Sequence, residues 1–241
     1  MLFLPLSFHK EGLMQFLRSV LFFIATLFIY LGVTLLGWGL GDMAGFFSSA
    51  PRVGYAIVVG LFSLAVCIQA YGSTQGIRGQ KGKAGKLIFR QTIVRYVLEL
   101  SLYLALFFIP FFDRHGIVVF DGSAMRWLGN GFCVLGYGLI FWSGVSLGRQ
   151  YSADVTIQEG HHLITSSIYR YVRHPRYLGI IVLSIGVSCI FRSWIGLIAS
   201  LFFLVILLYR IKDEEMLMHK EFGGEWEAYC KHSWRLIPYL Y

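Results

Sequence analysis

The sequence is poor in charge. Only 14% of its 241 residues are Asp, Glu, Lys or Arg, while 56% are hydrophobic, which is too apolar for an ordinary soluble domain. Acidic residues are the scarcer sign, 13 against 21 basic ones, leaving a net charge of +8. In a soluble protein that excess would suggest a nucleic-acid partner. Here the basic residues occupy short segments between apolar runs, where membrane topology requires them, and nucleic-acid binding is set aside. Cysteine is equally sparse: Cys67, Cys133, Cys189 and Cys230 show no Cys-x-x-Cys spacing, and the first three fall inside apolar runs. Neither a disulfide framework nor a structural zinc site is expected. His9, His115, His219 and His232 stand alone, and the adjacent His161 and His162 would point about 100° apart on a helix, so no metal site is expected. The chain has no Gly-x-Ser-x-Gly elbow and no Gly-x-Gly-x-x-Gly fingerprint, which removes support for hydrolase or soluble dinucleotide chemistry. The glycine- and lysine-rich segment "GSTQGIRGQKGKAGK", residues 72–86, lacks the Gly-Lys-Ser/Thr of a phosphate loop. It reads as a basic juxtamembrane loop attracted to anionic lipid.

What the chain has in quantity is long apolar stretches. Ser19–Gly41 runs 23 residues without a formal charge, longer than a signal-peptide core, and is read as a retained helix. Val53–Ile77, Thr92–Phe112 and Trp127–Gly148 supply three further spans, the third run being interrupted by Arg95 and Glu99, an i,i+4 pair read as structural. Tyr177–Phe191 and Ser193–Tyr209 are shorter, 15 and 17 residues separated by Arg192 alone. At ~1.5 Å per residue they reach about 22 and 25 Å, short of the roughly 30 Å hydrocarbon layer. They are expected to form a tight hairpin whose helices continue into the polar segments on the near side.

The expected fold is therefore all-α: a polytopic membrane bundle of about six transmembrane helices with a C-terminal hairpin, five spans being the count if that hairpin only dips in. With six spans and a cytoplasmic N-terminus, 17 of the 21 Lys and Arg residues lie on the cytoplasmic side, and Arg52, Arg114, Arg126 and Arg192 lie outside. Both termini are then cytoplasmic, and Trp38, Tyr55, Trp127 and Trp194 are expected in the outer interfacial belt.

The stretch "YRYVRHPRYLG", residues 169–179, gathers Arg170, Arg173, His174 and Arg176 immediately before the fifth run. Pro175 suits the first turn of a helix and biases His174 away from helical geometry, so the fifth helix is expected to start at Pro175. Arg173 and His174 then flank a helix N-terminus, which favours a bound anion. The sixth run is followed by "YRIKDEEMLMHKEFGGEWEAYCKH", residues 209–232. If its helix continues, the hairpin brings Glu214 and Glu215 close to Arg173, His174 and Tyr177, making a polar pocket at the cytoplasmic membrane surface. A plain salt-bridged bundle end is the alternative.

Taken in order, these blocks resemble the isoprenylcysteine carboxyl methyltransferase and phospholipid methyltransferase superfamily, integral membrane enzymes that use S-adenosylmethionine. The resemblance rests on His161, Leu163, Ile164, Thr165 and Tyr169, then on Arg173, His174, Pro175, Tyr177 and Gly179. Arg210, Ile211, Glu214 and Glu215 follow, and Phe222, Gly223, Trp226 and Tyr229 close it. It spans about residues 147–235, with Ser167 and Trp226 standing where the family often has glycine and tyrosine. By this resemblance residues 127–241 form the methyltransferase-like core, and residues 1–126 are N-terminal transmembrane helices without an assigned role.

The resemblance implies a cofactor, S-adenosylmethionine, held by His161, Leu163, Tyr169, Arg173, His174, Tyr177 and Glu214. Arg173 at the helix N-terminus would suit its carboxylate, and Glu214 or Glu215 its amino group or ribose diol. Arg210 would orient the acceptor with Glu215 in support, these two being the catalytic pair. The acceptor would be lipophilic and enter from the bilayer: an isoprenylcysteine-like carboxylate, a phospholipid amine or a thiol. Membrane sterol reductases that use NADPH share the superfamily resemblance but usually lack the proline of Arg-His-Pro. Such a reductase and a non-catalytic membrane binding protein are the rival readings.

Overall fold

The computed structural model describes residues 7–72, 87–148 and 162–241. The first rod begins with α1 (Ser7–Leu27), passes through a π-helical turn (Phe28–Gly32) and continues as α2 (Val33–Trp38). The wider turn loosens the backbone ladder at Tyr30, whose carbonyl accepts hydrogen bonds from the Thr34 hydroxyl at 2.8 Å and the Tyr55 hydroxyl at 2.5 Å. After a short α3 (Met43–Phe47) come α4 (Ala50–Gly72), α5 (Leu87–His115) and α6 (Ser123–Leu147). The C-terminal part is α7 (Pro175–Ile190), α8 (Trp194–Phe222) and the short α9 (Gly224–Cys230). Among the described residues the only β pairing is two isolated bridges, Val119 with Ser193 and Val172 with Trp234.

Five stretches are long and apolar enough to cross a membrane: Gly12–Trp38, Ala50–Tyr71, Gln91–His115, Ser123–Leu147 and Trp194–Phe222. This is an integral membrane architecture, with one difference from the six spans expected. The α7 helix has 16 residues, about 24 Å, and only Pro175 and Arg176 precede the apolar run. The expected extension into the polar segment occurs in α8, which continues through Phe222, but not in α7, because Pro175 terminates it. Two residues expected in the interfacial belt are also elsewhere. Trp38 and Tyr55 are buried in the bundle core, whereas Trp127 and Trp194 are exposed as belt residues should be.

The α6–α7 pair is the most extensive helix contact among the described residues, and glycine makes it possible. Gly129 faces Gly186, and Gly136 faces Gly179. A Cβ on Gly136 would stand 2.7 Å from the Leu183 nitrogen, and one on Gly186 2.8 Å from the Gly129 carbonyl. These pairs make the helices antiparallel and set the depth of α7. From Gly136, α6 runs 11 residues on to Leu147, whereas α7 begins only 4 residues before Gly179. The 7-residue excess places the start of α7 about 10 Å below the end of α6. The residues around Pro175 are therefore sunk into the near end of the bundle.

At the opposite, far end, the side chain of Asp113 is fully buried and accepts from three arginines: Arg52 at 3.3 Å, Arg126 at 3.0 Å and Arg192 at 2.8 Å. Arg52 also donates to the carbonyls of Phe46 and Gly45, and Arg126 to that of Ile190. Three of the four cations expected on the outer face are thus tied to one carboxylate.

Candidate active site

The sunken start of α7 assembles the site. His174 precedes the helix outside helical geometry, as expected of a residue before proline, and Pro175 occupies its first turn. A strap formed by residues 233–236 runs alongside: the Arg173 amide donates to the Trp234 carbonyl at 2.8 Å and the His174 amide to that of Arg235 at 3.1 Å. On α8, Arg210 and Glu214 are i,i+4 neighbours with Glu215 one position round.

The expected convergence is present. Arg173 Nε donates to Glu215 Oε1 at 3.0 Å, and His174 Nε2 lies 3.4 Å from the same oxygen. His174 Nδ1 is 3.6 Å from Glu214 Oε2. The Tyr177 hydroxyl donates to Glu214 Oε1 and accepts from Arg210 Nε at 2.8 Å, and Arg210 Nε also reaches Glu214 Oε1 at 3.2 Å. The rings of His174 and Tyr177 are stacked, with centroids 5.6 Å apart and planes 7° from parallel.

Other sequence-predicted residues have different surroundings. Arg173 is turned inward: besides Glu215 it donates to the Cys230 carbonyl at 3.3 Å and to the Ser233 carbonyl and hydroxyl. Tyr169 is buried, its carbonyl accepting from the Tyr229 hydroxyl at 2.6 Å. Burial raises the pKa of the Tyr169 phenol and pushes that of Tyr229 up to about 12, so both are neutral near pH 7. Leu163 is half-buried in the irregular stretch before the turn at Ser167–Arg170. His161 and the 72–86 segment's Ser73–Lys86 lie outside the described residues.

Beside the cluster opens an apolar cavity of about 290 Å³. Its walls come from α5, α7 and α8 with Tyr30 and Ile140. From Arg95 to Ile109 on α5, and from Gly196 to Arg210 on α8, the lining spans 15 residues of helix, a rise of about 21 Å. One end is polar, with Arg95, Glu99, Arg176, Tyr177 and Arg210, and the remainder is formed mainly by Leu, Ile, Val and Phe. Arg95 and Glu99 are paired at 3.2 Å as expected, but they also line this cavity, which the i,i+4 spacing did not reveal. Arg235 was missed as well. It holds Glu215 Oε2 at 2.7 Å from the C-terminal strap, a contact between distant segments that no local pattern announces.

The comparisons with known proteins bear on this half of the chain. Residues 128–220 match the model of the Isoprenylcysteine carboxyl methyltransferase (ICMT) family. That stretch is ICMT-like. The Protein-S-isoprenylcysteine O-methyltransferase of Schizosaccharomyces pombe is 33% identical over 113 residues, 46% of this chain and 48% of the relative. Protein-S-isoprenylcysteine O-methyltransferase B of Arabidopsis thaliana is 28% identical over 133 residues, 52% of this chain and 66% of the relative. The mouse Delta(14)-sterol reductase TM7SF2 is 32% identical over 85 residues, 34% of this chain and 20% of the reductase. The match thus spans one fifth of the reductase and about half of the yeast methyltransferase. A solved structure of the eukaryotic intramembrane Ras methyltransferase ICMT covers 96% of this chain and 97% of its own, at 19% identity and TM-score 0.46.

Proposed function

We propose that this protein is an integral membrane methyltransferase that uses S-adenosylmethionine to methylate a lipophilic acceptor at the near end of the bundle. The observation that carries the reading is the position of Arg210. It hydrogen-bonds Tyr177 and Glu214 in the polar cluster and also lines the polar end of the apolar cavity. A hydrocarbon tail in the cavity and a polar cofactor at the cluster would therefore meet at this side chain.

The residues present fit the cofactor. Glu214 keeps 19% of its side chain exposed, against 12% for Glu215, and is the better partner for an ammonium or a ribose diol. The stacked His174–Tyr177 pair offers a flat aromatic face for adenine or for a cationic sulfur. When bound, S-adenosylmethionine supplies an electrophilic methyl group on its sulfonium.

The chain's own residues do the rest. Arg210 orients the polar head of the acceptor, with Tyr177 and Glu214 fixing its guanidinium. Glu215 has both oxygens engaged, by Arg173 and His174 on one side and Arg235 on the other, and acts by holding these elements in register. The depth of the cluster below the end of α6 limits water around the reacting atoms. Methyl transfer needs chiefly alignment and a dry site. The N-terminal helices then have a role, since Tyr30 and seven residues of α5 wall the tail cavity.

A reductase is the second reading, favoured by the similarity to the mouse sterol reductase and opposed by Pro175 in Arg-His-Pro. Equilibrium binding of radiolabelled S-adenosylmethionine and of NADPH to the purified protein separates the two. The methyltransferase reading expects saturable binding of the first alone, and NADPH binding alone would overturn it. Incubation with labelled cofactor and a panel of prenylcysteine analogues, phosphatidylethanolamine and alkyl thiols then identifies the nucleophile. Label confined to tail-free, water-soluble products would rule out the lipophilic acceptor. The near end is proposed to be cytoplasmic, and cysteine-accessibility labelling of the 78–90 segment from the outside would refute that orientation.

A further inference from the structure

A second pocket, of about 500 Å³, lies on the opposite side of α8 from Arg210. At ~100° per residue, Leu208, Lys212, Met216 and His219 form one stripe along α8, turned away from the face that carries Phe203, Leu207, Arg210 and Glu214. Arg235 and Trp226 close it from the C-terminal side. The apolar run of α8 ends at Tyr209, so Leu208 belongs to the hydrocarbon level while Lys212 stands where the helix becomes charged. From Leu208 to His219 the stripe spans 12 residues, a rise of about 16 Å, apolar at Leu208 and carrying Lys212 just beyond it.

The charges of the pocket do not cancel. Its acidic lining residue, Glu215, is already engaged by Arg173, His174 and Arg235. His219 is answered by Glu227 at 3.0 Å. Lys212 is exposed and pairs with no acidic side chain among the described residues. Arg235 spends one terminal nitrogen on Glu215 and the other on the Tyr241 hydroxyl at 2.7 Å, and its Nε is buried without a hydrogen-bond partner. The Arg235 side chain keeps 37% of its surface exposed, so its guanidinium and the Lys212 ammonium leave the pocket with a net positive wall.

We infer that this pocket binds an anionic phospholipid, with the phosphodiester between Lys212 and Arg235 and an acyl chain running past Leu208 toward the hydrocarbon. A lipid suits it better than a free anion because the basic rim continues into apolar wall at hydrocarbon depth. Trp226 is buried and backs the pocket from α9.

The test uses full-length protein in nanodiscs of equimolar phosphatidylcholine and phosphatidylglycerol, extracted into neutral detergent, with retained lipid counted by native mass spectrometry. Wild type is expected to keep phosphatidylglycerol in preference to phosphatidylcholine. Lys212→Ala is expected to lower that preference roughly fivefold, the worth of one basic side chain near an anionic surface. Lys212→Arg should preserve it, and so should Lys231→Ala, a basic residue outside the pocket. Excess inorganic phosphate should not displace the lipid. Absence of preference in wild type, an equal loss in Lys231→Ala, or displacement by free phosphate would each overturn the assignment.

Discussion

The two ends of the bundle both gather arginines around carboxylates, yet they are built differently. At the far end three guanidiniums share Asp113, whose side chain has no exposed surface, and two of them also donate to backbone carbonyls. The cluster ties α4, α5, α6 and the α7–α8 turn together, and none of its four side chains lines the apolar cavity. At the near end tyrosine and histidine are interleaved with the charges, Glu214 keeps some exposure, and Arg210 borders the cavity. A network with every group satisfied in place serves folding. A network with faces and edges left toward a cavity can serve a ligand.

The comparison predicts separable defects. The largest expected effect is that of Asp113→Asn, which leaves the buried Arg52 and the partly buried Arg126 and Arg192 without the carboxylate they share and should destabilise the protein by about 3–5 kcal/mol. Thermal unfolding in detergent measures the loss, while the folded fraction should keep wild-type cofactor affinity. Lower affinity without lower stability would break the proposed division between the ends.

Next in size are Glu214→Ala and His174→Ala. Each removes one partner of a hydrogen bond to a charged group in the near cluster and should cost about 1.5–3 kcal/mol of S-adenosylmethionine binding, roughly ten- to a hundredfold in affinity. Both variants should remain inserted in the membrane. Calorimetric or filter binding on purified protein is the check, and unchanged affinity in either variant removes that residue from the proposed cofactor site.

Tyr177→Phe keeps the ring stacked on His174 but deletes the hydroxyl between Arg210 and Glu214. About 0.5–1.5 kcal/mol is expected, seen more in turnover than in cofactor affinity because the guanidinium it steadies is the one facing the acceptor. Steady-state kinetics with a methylated lipid product would show the split.

The smallest effect belongs to a half-exposed pair. Glu99→Gln breaks the contact with Arg95 and should change stability by only about 0.3–0.5 kcal/mol. The same variant alters the cavity's polar end, so a shift in acceptor KM beside an unchanged melting temperature would mark the pair as part of acceptor recognition.

Much of this architecture was legible from the chain. The apolar runs are local signals and returned as helices, although the first begins at Ser7 rather than Ser19. Pro175 announced the start of α7 because a missing N–H and a fixed φ act on the residue itself and its immediate neighbours. The near cluster was foreseen because a short hairpin leaves its two near ends little choice but to meet.

The rest depended on partners far apart in the chain. Arg52, Arg126 and Arg192 appeared only as outer-face charges, since nothing in their spacing points to Asp113, 61 and 79 residues away from the first and last of them. Arg235 gave no local sign of reaching Glu215, and Arg95 none of facing a cavity. Trp38 and Tyr55 resembled interfacial residues until packing buried them. Periodicity, proline and charge bias determine where helices lie and which way they run, because those effects act over a few residues or along the membrane normal. Which faces touch, how deep α7 sits and where a cavity remains were decided only when glycine-permitted contact between α6 and α7 set the helices' relative heights, a property of pairs of surfaces that no single segment contains.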